Sequence, residues 1–262
     1  MAAWLNWGPD HLDVHQDLEA YEEAKARIWG HMQPDAVAVA NADDPVVMAH
    51  APDSARTFGS TPAADYHVDD GWLVGPGGRL VAAAELSRSL PHDVANALAS
   101  WACADAVGTT ADSVAQVLGS FRGLPHRVAE VAVFEGVTYI DDSKATVPHA
   151  VVAAVRSFAT VVLIAGGRNK GIDLTPMAAA AAHVRAVVAI GEARDEVAAA
   201  FTEFCPVVFA DDMDEAVSRA RQRALPGDVV LLSPGCASFD WYTDYGARGD
   251  DFARAVRALE QA

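Results

Sequence analysis

Hydrophobic and polar positions follow two periods along this chain. Leu18, Tyr21, Ile28, Trp29 and Met32 fall on one face at helical spacing, and Glu19, Glu23 and Arg27 fall on the other. This predicts a helix capped by Asp17 and running to about His31, with Lys25 inside its apolar arc. A strand over Ala3–Trp7 precedes it. After it come an apolar strand (Ala36–Ala40), the turn Asn41-Ala42-Asp43-Asp44-Pro45, and short strands at Arg56–Phe58 and Tyr66–Val68. Trp72–Val74 and Arg79–Val81 flank Gly75-Pro76-Gly77-Gly78, which reads as a hairpin. Helices follow at about His92–Val107 and Ala111–Leu118. Gly123-Leu124-Pro125 then breaks the pattern, so a domain boundary is expected there, giving domains 1–123 and 124–262.

The second half alternates regularly. Apolar strands are expected near Thr138–Ile140, Val161–Ala165, Ala186–Ile190, Val207–Phe209 and Val229–Leu232. Helical segments lie at Thr175–Val184, Glu192–Phe201, Asp214–Ala224 and Asp244–Leu259. Val128–Phe134, joined to Thr138–Ile140 by Glu135-Gly136, adds an edge hairpin. Strand–helix alternation implies right-handed crossovers and an α/β fold with a mainly parallel sheet.

Composition narrows the classes of function. Hydrophobic residues make up 52% of the 262, enough for a real core. A formal net charge of -17 argues against nucleic acid and anionic membrane as partners. No apolar run reaches the roughly 18–20 residues that span a bilayer, and the first residues do not read as a signal peptide. Cys103, Cys205 and Cys236 are odd in number and far apart, so neither a disulfide framework nor a zinc site is indicated and a cytoplasmic setting fits.

In an open α/β sheet, ligands bind beyond the carboxyl ends of the strands. Three loops there carry suitable chemistry: Asp141-Asp142-Ser143-Lys144-Ala145-Thr146, Gly166-Gly167-Arg168-Asn169-Lys170-Gly171, and Ser233-Pro234-Gly235-Cys236-Ala237-Ser238. Lysine supplies charge, glycine permits close backbone approach and hydroxyls donate, which together suit a carboxylate- or phosphate-bearing ligand. Each loop alone reads as ordinary turn chemistry, and their coincidence on one rim reverses that reading. Lys25 reads either as a snorkelling amine or as a modified or paired lysine near a metal. His11, between Asp10 and Asp13, could serve a divalent ion. The motifs G-x-S-x-G, G-x-G-x-x-G opening a helix, and G-x-x-x-x-G-K-[ST] do not occur.

Several strings resemble the Mur ligases. They are Leu5-Asn6 with Pro9-Asp10-His11-Leu12-Asp13, Tyr21-Glu22-Glu23-Ala24-Lys25, Asn41–Pro45, His92–Ala99 and Leu124-Pro125-His126-Arg127. The three rim loops, with Phe239-Asp240 and Arg248-Gly249, resemble the D-glutamate-adding branch of that family. The resemblance runs in order through nearly the whole chain. It implies an incomplete central ATPase domain over 1–123 and a Rossmann-like C-terminal domain over 124–262. It also implies an ATP- and Mg2+-dependent ligase of peptidoglycan synthesis: ATP phosphorylates the carboxylate of UDP-N-acetylmuramoyl-L-alanine, and the amine of D-glutamate attacks the acyl phosphate.

By position, His11 resembles a magnesium ligand and Lys25 the lysine carbamylated in this family, able to hold a second magnesium. Asn96 resembles an adenine contact, and Arg127 and Asp142 resemble ATP-binding residues. Lys144, Thr146, Lys170, Ser238, Phe239 and Tyr245 resemble the D-glutamate pocket, with Lys144 also expected to be catalytic alongside Lys25 and His11. The chain departs from the pattern at Asp93 and Val147, where Asn is usual, and at Tyr245, where Phe is frequent. The family's front domain and phosphate loop are not in these 262 residues, so the chain alone is expected not to ligate. The absent part leaves Ala3–Trp7 a potentially unpaired, association-prone edge. A non-catalytic D-glutamate- or nucleotide-binding module, and an unrelated α/β interaction protein, stand as alternatives.

Overall fold

A computed structural model describes residues 1–10, 14–33 and 35–259. His11 lies outside the described residues. The chain forms two compact units, one of Met1–Pro9 with Val14–Arg122, the other of Asp10 with the chain from Gly123 onward.

The first unit contains a parallel sheet, β1 (Ala2–Trp4), β2 (Ala38–Asn41) and β3 (Arg56–Phe58), in that order. β1 is shorter than the expected Ala3–Trp7; it pairs on one side, where Ala2, Ala3 and Trp4 register with Ala38, Val39 and Ala40, and it forms an edge of its sheet. Asn41 Nδ2 donates to the Leu5 carbonyl, so the chain beyond β1 is tied by a side chain rather than a ladder. Helix α1 (Leu18–Gly30) is capped by Asp17, whose carboxylate accepts from the Ala20 N–H at 2.8 Å. Tyr21 and Trp29 are buried, whereas Ile28 is exposed, so the inward stripe is narrower than the pattern implied. The turn at Asn41–Pro45 continues into a short helix, α2 (Pro45–His50), that the sequence reading lacked. Asp44 caps it, and Pro45 occupies its first turn, where a missing N–H costs nothing.

β4 (His67–Asp69), β5 (Trp72–Gly75) and β6 (Gly78–Ala82) form an antiparallel sheet, with the expected hairpin between the last two. Helices α3 (Pro91–Ala106) and α4 (Ala111–Ser120) complete the unit. Val39, Phe58, Tyr66, Leu98 and Trp101 make one core cluster, and Trp4, Trp29 and Val47 another.

The second unit is a six-stranded sheet: β7 (Ala129–Phe134), β8 (Val137–Asp141), β9 (Val161–Gly166), β10 (Val184–Ile190), β11 (Val207–Ala210) and β12 (Val229–Leu232), ordered β11-β10-β9-β12-β8-β7. Every pair is parallel except the β7–β8 hairpin. Side chains of β9 alternate strictly. Val161, Leu163 and Ala165 enter the cluster with α5 (Pro148–Val155) and α6 (Arg194–Phe201). Val162 and Ile164 enter the cluster with α7 (Met213–Arg221) and α8 (Tyr245–Leu259). Helices therefore cover both faces, which is why the strands read as continuous apolar runs. Each such valine, leucine or isoleucine, fully buried, contributes on the order of 1.5–3 kcal/mol.

Within the second unit several helix expectations change, and α7 ends at Arg221 rather than at Ala224. Helix α5 is new: its string Val-Pro-His-Ala-Val-Val-Ala-Ala-Val is rich in β-branched residues, which tertiary burial overrides. Thr175–His183 is a 3-10 helix. The stretch expected as a helix from Glu192 begins at Arg194.

Candidate functional site

The chain passes from β8 to β9, steps outward to β10 and β11, and returns with β12 between β8 and β9. The strand order therefore reverses between β9 and β12, and a crevice opens at the carboxyl ends of such a pair. The loops that leave β8, β9 and β12 meet at that point.

Backbone bonds lock these loops together. Gly166 N–H donates to the Pro234 carbonyl, Gly235 N–H to Ala145, and Arg168 and Ala237 exchange both of their N–H···O bonds at 2.8 and 3.0 Å. Gly166 and Gly167 have φ of 124° and 132°. A Cβ on Gly166 would press on the Ile190 carbonyl, and one on Gly167 on the Ala237 carbonyl. Glycine is thus required twice, by backbone conformation and by close approach.

Beneath the loops lies a buried polar network. Asp142 Oδ2 accepts from the Ser233 hydroxyl at 2.8 Å, and its Oδ1 accepts from the Val128 N–H at 3.2 Å. Burial pushes the Asp142 carboxyl up to about 7 against these two hydrogen bonds; neighbouring Asp141 raises it further and Arg127 lowers it. Asp141 accepts from the Ser143 N–H at 2.9 Å, and its other oxygen lies 2.7 Å from His126 Nδ1. Arg248, 1% exposed, donates from Nε to Ser143 Oγ, from Nη2 to the Ser143 carbonyl, and from both Nη1 and Nη2 to the Cys236 carbonyl. The Ser143 hydroxyl in turn donates to the Tyr245 carbonyl at 2.7 Å.

The rim residues expected from the sequence fall as follows. Lys144 and Tyr245 come together, with the ammonium 4.0 Å from the ring centroid. Thr146 is half-buried on the same loop, and Arg127 is exposed, two residues before the strand that precedes β8. Ser238 is buried, and its carbonyl accepts from the Trp241 and Tyr242 N–H groups. Phe239 is 61% exposed. Lys170 Nζ donates to Asp10 Oδ1 at 3.1 Å. Lys25 and Asn96 belong to the first unit. Lys25 is half-buried, with its ammonium 5.2 Å from the Tyr21 ring, and Asn96 is exposed on α3. Val147 immediately precedes α5, and Asp93 accepts from Arg88 Nε at 2.9 Å.

Among the described residues, no three His, Cys, Asp or Glu side chains are grouped as metal ligands. No described helix is long and apolar enough to cross a membrane. A cavity of about 520 Å³ at the β11 edge, lined in part by Arg194, Phe209, Asp211, Glu215 and Arg219, is set apart from the rim loops. Its cations are paired with its own carboxylates, Arg194 with Asp211 and Arg219 with Glu215.

In the sequence His126, Asp141, Ser233 and Arg248 stand out only as members of longer strings, and none of them carries a role there. Arg248 had a visible signal: with Gly249, Phe252, Ala255 and Val256 it occupies the buried face of α8 at helical spacing.

Residues 1–104 match the Mur ligase middle domain and residues 126–236 the Mur ligase glutamate ligase domain. The chain is 47% identical over 273 aligned residues to the UDP-N-acetylmuramoylalanine--D-glutamate ligase of Frankia casuarinae, covering 99% of this chain and 58% of that protein. It is 41% identical to the enzyme of the same name from Nitrosospira multiformis, with 100% and 58% covered. The chain thus spans little more than half the length of these curated relatives. In fold it is similar to the MurF ligase of Thermotoga maritima in complex with ADP, with a TM-score of 0.71, 19% identity, and 100% of this chain and 62% of that one covered. A pseudomurein peptide ligase of Methanothermus fervidus gives 0.72 at 15% identity, covering 98% and 63%. Two consecutive domain matches, in the order and with the α/β architecture described, establish that this chain belongs to the Mur ligase family.

Proposed function

We propose that the chain is the middle and C-terminal part, 1–123 and 124–262, of an ATP-dependent ligase that adds D-glutamate to UDP-N-acetylmuramoyl-L-alanine in peptidoglycan synthesis. The observation that carries this reading is the convergence of the Lys144, Gly166–Gly167 and Ser238 loops at the switch point of the second unit. The names of the relatives support the choice of D-glutamate.

In this reading ATP transfers its terminal phosphoryl group to the substrate carboxylate. The D-glutamate amine then attacks the carbonyl carbon, and phosphate leaves as the amide forms. The protein's contribution is to position both reactants and to hold negative charge. Lys144, Lys170, Thr146 and Ser238 bind D-glutamate: the ammonium groups attract its carboxylates and the hydroxyls donate to them. Tyr245 holds Lys144 through its ring, and Phe239, which is exposed on the same loop, covers the ligand. Asn96 contacts the nucleotide base, and Arg127 and Asp142 contact the rest of the nucleotide.

Magnesium enters only through His11 and a carbamylated Lys25. Among the described residues no ligand set for the ion is assembled. The remaining length of the relatives supplies the phosphate loop and the sugar-nucleotide site, in the same or a separate polypeptide. The three thiols, all free of disulfides, suit a cytoplasmic enzyme.

The test is complementation of a ligase-deficient strain by the sequence restored to the length of its relatives. Lys144→Ala and Ser238→Ala in that context are expected to abolish growth. Growth equal to the parent with both variants contradicts the catalytic reading.

A further inference from the structure

Arg248 hydrogen-bonds to two of the three rim loops and lies beside the third. It bonds to Ser143 after β8 and to Cys236 after β12, and a Cβ on Gly167, after β9, would stand 3.1 Å from its Nη1. Every hydrogen bond it makes goes to a neutral oxygen. The two carboxylates nearest in charge are turned to other donors: Asp141 to His126 and the Ser143 N–H, Asp240 to the Glu192 N–H. A buried cation ordinarily keeps a paired anion, as a charge left alone in low dielectric is costly. The planar fork explains why arginine stands here: it reaches two loops from one rigid group, which a lysine ammonium does not.

We propose that Arg248 is a positioning residue whose guanidinium locks the loops at 141–146 and 233–238 together beside Gly167 and whose charge, matched by no hydrogen-bonded carboxylate, biases the surface they frame toward a carboxylate-bearing ligand. The locking stands on the hydrogen bonds alone; the identity of the ligand, D-glutamate, rests on the function proposed above. Burial holds the guanidinium down at about 10, against the opposing pull of Cys236, Asp240, Tyr242 and Asp141. That direction agrees with a charge that lacks a close anion.

The test uses the 262-residue chain with Cys103→Ser and Cys205→Ser, so that buried Cys236 is the single thiol. Arg248→Lys keeps the charge and loses the fork; Arg248→Met loses both. Two quantities are measured on variants with parental circular dichroism: the rate of Cys236 modification by an aromatic disulfide reagent, and D-glutamate affinity by calorimetry. Both variants are expected to label Cys236 at least about tenfold faster than the parent, because the loop opens without global unfolding. Arg248→Lys is expected to bind D-glutamate about tenfold more tightly than Arg248→Met, since only charge separates them.

Labelling within about twofold of the parent in both variants overturns the locking. Equal D-glutamate affinity in the two variants overturns the electrostatic half. If the parent binds no D-glutamate while both variants expose Cys236, the locking stands and the D-glutamate reading falls. Should Arg248→Met fail to fold, Ser143→Ala removes an acceptor from the same network, together with the bond to the Tyr245 carbonyl, and leaves the residues of α8 unchanged. It is expected to speed Cys236 labelling in the same direction, and a parental rate counts against the locking.

Discussion

The Asp142 carboxylate accepts the Ser233 hydroxyl at 2.8 Å in a buried setting, joining the ends of β8 and β12. Burial lifts that carboxyl from the ordinary 3.8 to about 7. Between those two values the folded chain holds a proton that the unfolded chain has released. Rising pH therefore costs stability across the window from about 4 to 7, and the full penalty persists above it. Asp142→Asn cannot ionise. Its unfolding free energy, followed by urea denaturation, is expected to fall less steeply over that window than the parent's; parallel curves contradict the assignment.

Gly166 sits at φ 124° with the Ile190 carbonyl where a side chain would begin. Gly166→Ala is expected to destabilise the second unit by more than about 2 kcal/mol, from backbone strain together with the clash. Urea denaturation monitored by tryptophan fluorescence reads this directly. A cost below about 0.5 kcal/mol means the loop has another conformation available.

Lys144 rests 4.0 Å from the Tyr245 ring centroid, with His126 edge-on to the same ring at 6.1 Å. The ring, rather than the phenol, holds the ammonium. Tyr245→Phe is expected to leave D-glutamate affinity within about twofold, and Tyr245→Leu to weaken it by about three- to tenfold. Equal affinities for all three proteins remove the ring from the account.

Lys25 lies half-buried against Tyr21 at 5.2 Å, a position that suits either an ammonium over a ring or a carbamate. In 13C-bicarbonate solution the chain is expected to show a carbamate carbon resonance that Lys25→Arg removes. A spectrum with no such resonance, or one unchanged by Lys25→Arg, leaves the ammonium as the functional form.

The sheet of the second unit was legible because strands buried on both faces are continuous apolar runs, such as Val161–Gly166, punctuated by glycine. Helix α5 was not, because valines at four of its flanking and internal positions read as strand and only burial against β9 decides otherwise. The rim loops were legible from their position after strands. What ties them was not: Arg248 and Ser143 are 105 positions apart, and Lys170 and Asp10 are 160 apart, so no local pattern records either contact. A charge within an apolar stripe reads first as a snorkelling side chain, and Arg248 differs because it is buried with its guanidinium bonded to two loops.

The residues proposed to bind D-glutamate all lie in the second unit, so this unit alone is expected to hold the site. Calorimetric titration of the chain with D-glutamate and with L-glutamate tests it most directly. Saturable binding of D-glutamate is expected, with at least about tenfold weaker binding of the L isomer and loss of binding in Lys170→Ala. Equal affinity for both isomers, or D-glutamate binding untouched by Lys170→Ala, contradicts it.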